Sequence, residues 1–285
     1  MDNYSNGIIQ CDGYILHYER RGTGPAVLVI GSSLYYSRLF PPDRFAGSEL
    51  IFLDHRGFGF PLRAEALQLK GLAPIIEDIE YARQQLGLVE FTILGHSGHA
   101  FMAMAYAKRY PQHVRRLVLL NTAPSNSAGR QRESAEYFER QADPERRSWF
   151  TRQMALLEED IRREPERRFA HMCCRMGAQS FYDYTYDSTA LWDGVQMNMP
   201  VIDYLWGEVF AEIDLLTELH ACAKPVFLGL GRYDYLVGPL ALWDALDKAP
   251  NSLVTKVVFE RSGHNPMFEE PERFEQKLAS WLHED

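Results

Sequence analysis

The sequence contains few cysteines, no excess of positive charge and no long hydrophobic run. Its four cysteines match no zinc-binding or Cys-x-x-Cys spacing, and the adjacent Cys173 and Cys174 are poorly placed to form a disulfide with each other. The other two, Cys11 and Cys222, stand alone in the sequence. We therefore predict no metal site, and a reducing cytoplasm is the simplest compartment for this protein.

Three further absences narrow the class of function. Residues 1–22 contain no basic segment followed by an apolar core, so they do not resemble a signal peptide. No apolar stretch reaches the length needed to span a bilayer. The formal net charge of -9 argues against a nonspecific nucleic-acid binder or a protein that attaches to anionic membranes. We expect a soluble enzyme that acts on a small molecule or short peptide, with no nucleic-acid or membrane partner, and the oligomeric state stays open.

Short apolar runs that alternate with amphipathic segments indicate an α/β fold. The dipeptide Asp12-Gly13 predicts a hairpin between two antiparallel strands. Six later runs are typical of strands buried on both faces of a parallel sheet, at residues 26–30, 50–53, 91–94, 115–120, 225–230 and 254–259. Helical spacing of apolar residues predicts intervening helices at 73–86, 240–246 and 272–283. This alternation indicates a mostly parallel, twisted sheet with helices on both faces.

The character of the sequence changes after residue 123. Residues 124–221 are rich in charged and aromatic residues and contain no obvious sheet strand, which indicates a set of amphipathic helices. We predict a core built from residues 1–123 and 222–285, interrupted by a helical cap at 124–221. Such a cap would fold over the strand ends, shape the substrate pocket and exclude water. The alternative is a second domain with a ligand of its own.

The predicted fold is arranged around one strand-to-helix turn, with the sequence Gly-His-Ser-Gly-His at 95–99. A serine at such a sharp turn presents its hydroxyl away from the packed sheet, so Ser97 is the candidate nucleophile. Small residues are expected two positions before and two positions after it. Gly95 meets this expectation, but His99 does not, and its ring must extend toward neighbouring strands or the side of the helix. The alternative is an ordinary junction with a capping serine.

Backbone N–H groups near this turn are candidates for an oxyanion hole. The N–H of Gly98 lies at the start of the following helix, where unpaired donors and the helix dipole favour negative charge. The strand at 26–30 ends in a Gly-Ser-Ser turn, and the N–H of Ser32 is the candidate for a second donor. The alternative for this turn is a plain flexible loop. Asp54 and His55 also follow a strand, but an Asp-x-Arg-Gly turn more often shapes a loop through hydrogen bonds.

Two more titratable residues follow strands at the same edge of the predicted sheet. Asp234 comes after the strand at 225–230, and His264 comes after the strand at 254–259. A serine hydroxyl needs a base to remove its proton, and an imidazole base needs a carboxylate to hold its tautomer. Each residue alone could be incidental, but Ser97, Asp234 and His264 occur in the order nucleophile, acid, histidine. Together they predict a catalytic triad.

The sequence resembles the proline iminopeptidase-like group of α/β hydrolases over nearly its whole length. Five segments carry the resemblance: LGHSG at 94–98, DHRGFG at 54–59, GRYD at 231–234, GHNP at 263–266 and EEPERF at 269–274. The resemblance implies an α/β-hydrolase fold with a helical cap and no metal or organic cofactor. It assigns the triad to Ser97, Asp234 and His264, and the oxyanion hole to Ser32 and Gly98. Proline iminopeptidases usually have HGGPG where this sequence has IGSSL at 30–34, so a hydrolase is implied more firmly than a peptidase.

The sequence leaves the substrate open. An N-terminal aminoacyl amide carries an ammonium that needs an acidic partner, and Glu208 and Glu212 on one helix face are candidates, with solvated surface acids as the alternative. An ester or lactone needs no such anion, and Tyr35 and Trp206 could hold it by apolar contact unless they belong to the core of the cap. The other functions considered are a lyase or carbon-carbon bond hydrolase on the same scaffold, and a noncatalytic ligand-binding protein.

Overall fold

A single sheet runs through the part of the chain that the computed structural model describes, which is residues 4–42, 44–45, 47–62, 69–248 and 251–283. It contains nine strands: β1 (Tyr4–Cys11), β2 (Tyr14–Gly22), β3 (Ala26–Gly31), β4 (Glu49–Asp54), β5 (Phe60–Pro61), β6 (Phe91–His96), β7 (Val114–Leu120), β8 (Val226–Gly231) and β9 (Val254–Phe259). Their order is β1-β2-β4-β3-β6-β7-β8-β9, and β5 pairs with β2. From β4 to β9 along this order all pairs are parallel, whereas the pairs that β2 makes are antiparallel. The predicted mostly parallel sheet is confirmed.

The predicted hairpin opens the fold. Cys11 at the end of β1 lies opposite Tyr14 at the start of β2. Between them, Asp12 has a φ of 44° and Gly13 a φ of 82°. Positive φ at both central residues is the mark of a two-residue turn whose twist matches that of the flanking strands.

Thirteen α-helices lie in the described part of the chain: α1 (Ser33–Leu39), α2 (Ala73–Gln85), α3 (His99–Arg109), α4 (Ala128–Gln141), α5 (Pro144–Met154), α6 (Leu157–Arg163), α7 (Arg168–Arg175), α8 (Gly177–Ser180), α9 (Met199–Gly207), α10 (Leu215–Ala221), α11 (Asp244–Lys248), α12 (Pro266–Glu269) and α13 (Pro271–Leu282). Helix α1 lies where the sequence predicts only a turn. The side chain of Ser32 accepts a hydrogen bond from the Tyr35 N–H at 3.3 Å and so caps this helix.

Helices cover both faces of the sheet. In β3, Leu28 and Ile30 belong to one apolar cluster with residues of α2 and α3, whereas Val27 and Val29 belong to another with residues of α1 and α13. Neighbouring residues of a strand point to opposite faces, so a strand that is buried on both faces needs apolar residues at nearly every position. The apolar runs of the sequence have this origin, and the predicted two-sided cover is confirmed.

Residues 124–221 lie between β7 and β8, and the chain from β7 to β8 is described throughout. This segment contains the seven helices α4 to α10 and no strand. Two of its main-chain groups contact the chain that follows β9: the carbonyl of Ser180 accepts from the N–H of His264 at 2.5 Å, and the N–H of Tyr182 donates to Glu269 of α12 at 2.6 Å. In the described ranges, no helix combines the length and the hydropathy needed to cross a membrane.

A buried ion pair fixes the loop after β4 against α2. The guanidinium of Arg56 binds both carboxylate oxygens of Asp78, with one contact of 2.8 Å, and both side chains are 3% exposed. The same guanidinium reaches Asp12 in the hairpin turn at 2.7 Å. A charge buried this deeply is stable only while its partners are present, because desolvation of an unpaired ion costs several kcal/mol.

We therefore expect Asp78→Ala to lower the free energy of unfolding by about 3 kcal/mol, because the buried Arg56 loses its main partner. Urea denaturation measures the change. The matched control is Glu218→Ala, which removes the surface pair with Lys108, whose side chains are 29% and 66% exposed. This control is expected to cost less than about 1 kcal/mol. Equal losses in the two variants would contradict the assignment of Arg56 and Asp78 as a structural pair.

Candidate active site

The turn at Ser97 has the geometry that the sequence predicts. Ser97 follows β6 with a φ of 56°, in the left-handed region, and α3 begins two residues later. Helix and strand approach each other so closely that a Cβ on Gly95 would lie 2.3 Å from the carbonyl oxygen of His99. Only glycine fits at that position. In residues 91–100, Ser97 alone is not buried, so the turn presents its side chain at the tip.

Asp234 and His264 meet at the same edge of the sheet. Their atoms Oδ2 and Nδ1 are 2.7 Å apart, and the side chains are 3% and 9% exposed. A carboxylate can only accept, so Nδ1 carries the proton and the neutral ring leaves Nε2 free to accept one. The other oxygen of Asp234 accepts from the N–H groups of Leu236 and Val237 at 3.0 and 3.3 Å. The pair therefore has the tautomer that a general base requires.

Asn121 links the serine turn to this pair and is a residue that sequence reasoning missed. The N–H of Ser97 donates to the carbonyl of Leu120 at 2.8 Å, which places Asn121 beside the turn. The side-chain amide of Asn121 donates to Asp234 Oδ2 at 2.8 Å and to the carbonyl of Gly263 at 2.9 Å. The only signal in the sequence was an asparagine directly after a buried strand, where its φ of 44° suits that residue type.

The two candidate oxyanion donors, Ser32 and Gly98, follow neighbouring strands. Ile30 of β3 pairs with Gly95 of β6, so Ser32 lies two residues and Gly98 three residues beyond this paired position. Adjacent strands are about 4.8 Å apart. Within the described part of the chain, the main-chain N–H groups of Ser32 and Gly98 donate to no protein acceptor. Two unpaired donors therefore flank the turn.

Asp54 shapes the loop that carries Ser32, as predicted for the Asp-x-Arg-Gly turn. Its carboxylate accepts from the N–H of Ser33 at 2.6 Å and from the N–H of His17 at 3.1 Å. The aspartate thereby holds the start of α1 against β2. The structural interpretation of Asp54 is confirmed.

His99 turns into the protein interior, where it meets other polar side chains. Its Nδ1 lies 2.9 Å from the hydroxyl of Tyr36, and its Nε2 lies 3.1 Å from Nε2 of His55. The same hydroxyl lies 3.0 Å from Nδ1 of His96. Burial lowers the pKa of His55 to about 3 and holds the pKa values of His96 and His99 well below the usual value near 6.5. All three rings are therefore neutral near pH 7.

Glu269 holds the loop that carries His264. Its carboxylate accepts from the N–H groups on either side of that histidine, Gly263 and Asn265, both at 3.0 Å, and from Tyr182 of the helical segment at 2.6 Å. Burial raises the pKa of Glu269 to about 7, although the three N–H donors act in the opposite direction. This residue lies in the EEPERF segment, and sequence reasoning assigned it no role.

The candidate substrate-binding residues fall into two groups. Trp206 lies beside the serine turn, since a Cβ on Gly98 would be 3.1 Å from its ring, and the ring of Tyr35 packs 4.2 Å from Trp192. Glu208 and Glu212 are exposed to solvent. The structure thus places Trp206 beside the turn and Tyr35 against Trp192 of the helical segment, and it leaves both acids at the surface.

Residues of the helical segment also line an open pocket of about 640 Å³. Its lining mixes acidic, basic and aromatic side chains and includes Trp192, whereas Ser97, Asp234 and His264 do not line it. Trp192 thus contacts both this pocket and the ring of Tyr35.

Comparison with known proteins gives concordant results. A sequence profile for the family described as alpha/beta hydrolase fold matches residues 24–271. AB hydrolase superfamily protein YclE of Bacillus subtilis (strain 168) is 51% identical over 277 residues, which cover 97% of this chain and 98% of that protein. A proline iminopeptidase of Clostridium botulinum is 24% identical over 263 residues, covering 90% and 87%. A solved alpha/beta fold family hydrolase from Bacillus anthracis str. Sterne superposes with a TM-score of 0.70 at 19% identity and covers 98% of this chain and 99% of its own, a likeness of fold.

The depressed pKa of His55 predicts a measurable pH dependence of stability. Between its unfolded value near 6.5 and its folded value of about 3, the unfolded chain binds more protons, so the free energy of unfolding decreases as the pH falls through this window. At pH 5 this contribution amounts to about 2 kcal/mol. Urea denaturation at pH 7.5 and pH 5 measures how much the free energy of unfolding decreases between these two values. We expect this decrease to be about 2 kcal/mol smaller in His55→Gln than in the wild type. The same loss in both proteins would show that His55 gains its proton in the folded state as readily as in the unfolded one.

Proposed function

The chain belongs to the α/β hydrolase fold family, and from that membership we propose that it is a serine hydrolase that cleaves an ester or amide bond through an acyl-enzyme on Ser97. The observation that carries the proposal is the 2.7 Å hydrogen bond between His264 and Asp234, at the sheet edge where Ser97 occupies a left-handed turn.

The proposed reaction has two halves. Nε2 of His264 accepts the hydroxyl proton as Ser97 Oγ attacks the carbonyl carbon, and the same nitrogen returns the proton to the departing alcohol or amine. A water molecule then gives a proton to His264 and attacks the acyl-enzyme, which releases the acid and restores the serine. Asp234 stays ionised and stabilises the imidazolium that forms in both halves.

The oxyanion of each tetrahedral intermediate is proposed to bind the N–H groups of Ser32 and Gly98. Both groups lack a protein acceptor among the described residues, and the second precedes the first turn of α3, where the helix dipole favours negative charge. Asp54 supports this role indirectly, because it occupies the neighbouring N–H of Ser33 and so fixes the loop. No metal or organic cofactor enters the proposed mechanism.

We propose that residues 124–221 act as a cap on a core formed by residues 1–123 and 222–285. The contacts of Ser180 with His264 and of Tyr182 with Glu269 support this assignment, as does the position of Trp206 beside the serine turn. A cap in this place would shape the substrate pocket and shield it from bulk solvent. The four cysteines are free, which suits the cytoplasmic location that we also propose.

An uncharged acyl group of an ester or lactone suits the site better than an aminoacyl group. Phe210 and Trp206 lie against Gly98, and Phe169 packs 5.3 Å from Trp206, so the wall of the turn is aromatic. A substrate ammonium would need a desolvated anion. Glu208 and Glu212 are exposed, and three main-chain donors already occupy the carboxylate of Glu269.

A kinetic panel of p-nitrophenyl esters, lactones and aminoacyl anilides tests the proposal. We expect turnover of at least one ester or lactone, a fall in kcat of at least about 10³-fold in Ser97→Ala, and no loss in the exposed control Ser148→Ala. Glu208→Gln and Glu212→Gln are expected to leave kcat and KM unchanged. A folded wild type without activity on any member of the panel, or full activity in Ser97→Ala, would contradict the proposed hydrolase. Turnover of aminoacyl anilides alone would contradict the preference for an uncharged acyl group.

A further inference from the structure

Four buried polar side chains form a continuous chain of hydrogen bonds beneath the serine turn. They are His55 after β4, His99 at the start of α3, Tyr36 in α1 and His96 at the end of β6, and each is at most 5% exposed. The proposed triad and oxyanion hole use none of them. A buried polar group is costly unless it is hydrogen-bonded, so the direction of each bond in this chain is informative.

The hydrogen bond to His264, at one end of this series, fixes the position of the first proton. Nε2 of His96 lies 2.7 Å from the main-chain carbonyl oxygen of His264, which can only accept, so Nε2 carries the proton. In a neutral ring Nδ1 of His96 is then an acceptor, and it accepts a hydrogen bond from the hydroxyl of Tyr36, 3.0 Å away. The ring of His96 also packs against that of His264, with 4.5 Å between the centroids.

The remaining protons follow from this beginning. The hydroxyl of Tyr36 donates its hydrogen bond to His96, so its oxygen accepts from Nδ1–H of His99 at 2.9 Å. The same N–H also points at the carbonyl of His96, at 3.1 Å. Nε2 of His99 is left without a proton and accepts from Nε2–H of His55 at 3.1 Å. Nδ1 of His55 in turn accepts from the N–H of Gly57 at 3.0 Å. Every donor points toward His264, and no group in the chain is left unsatisfied.

This series of hydrogen bonds joins the three parts of the proposed catalytic site. Tyr36 belongs to the helix that begins directly after Ser32, His99 follows Gly98, and His96 binds the main chain of His264. We propose that Tyr36, His96 and His99 are positioning residues, which hold the His264 ring and the two oxyanion donors in register through the hydroxyl of Tyr36. This inference rests on the proposed function. It also explains the histidine at 99, whose ring occupies the space between α1 and the loop after β4.

The tautomers give a test that does not depend on enzymatic activity. In protein with ¹⁵N-labelled histidine at pH 7, the two nitrogen shifts of each ring distinguish N–H from bare nitrogen, and single His→Gln variants assign the signals. We expect neutral rings with the proton on Nε2 in His55, on Nδ1 in His99 and on Nε2 in His96. A doubly protonated ring or a different tautomer at any of the three histidines would contradict the proposed series of hydrogen bonds, whatever substrate the protein hydrolyses.

Kinetics test the positioning role on a substrate found in the panel. We expect Tyr36→Phe to lower kcat by about 10²-fold with less than about threefold change in KM, because small misplacement of reacting groups costs this much. The matched control is Tyr106→Phe, which removes an equally buried hydroxyl that donates to Glu80 at 2.8 Å far from the site, and it should leave kcat unchanged. Equal kcat losses in the two tyrosine variants, or none in either, would reduce Tyr36 to a structural role.

A pair of variants at His96 isolates the bond to the catalytic loop. The amide nitrogen of His96→Gln can still donate to the His264 carbonyl, whereas His96→Leu cannot. We expect the glutamine variant to keep kcat within about tenfold of the wild type, and the leucine variant to lose about 10²-fold. Thermal unfolding shows whether each variant is folded. A glutamine variant that is folded and as slow as the leucine variant would contradict the proposal.

Discussion

The left-handed backbone at Ser97 is the constraint on which the rest of the site depends. Strand β6 must break within one residue for the chain to enter α3, and the approach of the two elements leaves room only for glycine at position 95. The turn sets three things at once. It places the serine at an accessible tip, it leaves the Gly98 N–H unpaired at the beginning of a helix, and it sends the side chain of His99 inward. The proposed nucleophile, the proposed anion-binding group and a buried polar network therefore share one backbone conformation.

The loop after β9 shows how the protein fixes a histidine by its main chain as well as by its ring. The N–H of His264 binds the carbonyl of Ser180, its carbonyl accepts from His96, and the N–H groups on either side of it bind Glu269. These partners come from the helical segment, from β6 and from α12. A ring held in this way loses little freedom when it exchanges protons, which is the preorganisation that proton transfer in a site requires. It also means that a shift of the helical segment would move the histidine.

The sequence predicts the sheet well because burial on both faces leaves a strong local signal. The runs at 26–30 and 91–94 are apolar at nearly every position, and the structure extends each by only one or two residues to β3 and β6. The order of Ser97, Asp234 and His264 could likewise be read from the chain, and their catalytic roles stay a prediction. Helix α1 was missed because its seven residues follow a Gly-Ser pair that is also typical of a turn.

Contacts between distant residues could not be predicted, because they depend on the register of the folded sheet. His99 departs from the expected small residue, and the sequence shows that departure, but its partners Tyr36 and His55 lie 63 and 44 positions earlier in the chain. Asn121 meets Asp234 across 113 positions. None of these three contacts leaves a local pattern in the sequence. Single-residue signals thus identify the chemically active groups, while the groups that position them become visible only when β3, β4, β6 and β7 are placed side by side.

Labelling with a fluorophosphonate, followed by peptide mapping, tests the central claim most directly, because it identifies the hydroxyl that is nucleophilic. The account predicts one phosphonyl group per chain, attached to Ser97, and no labelling of folded Ser97→Ala protein. A folded wild-type protein that remains unlabelled, or that carries the phosphonyl group on another residue, would contradict it.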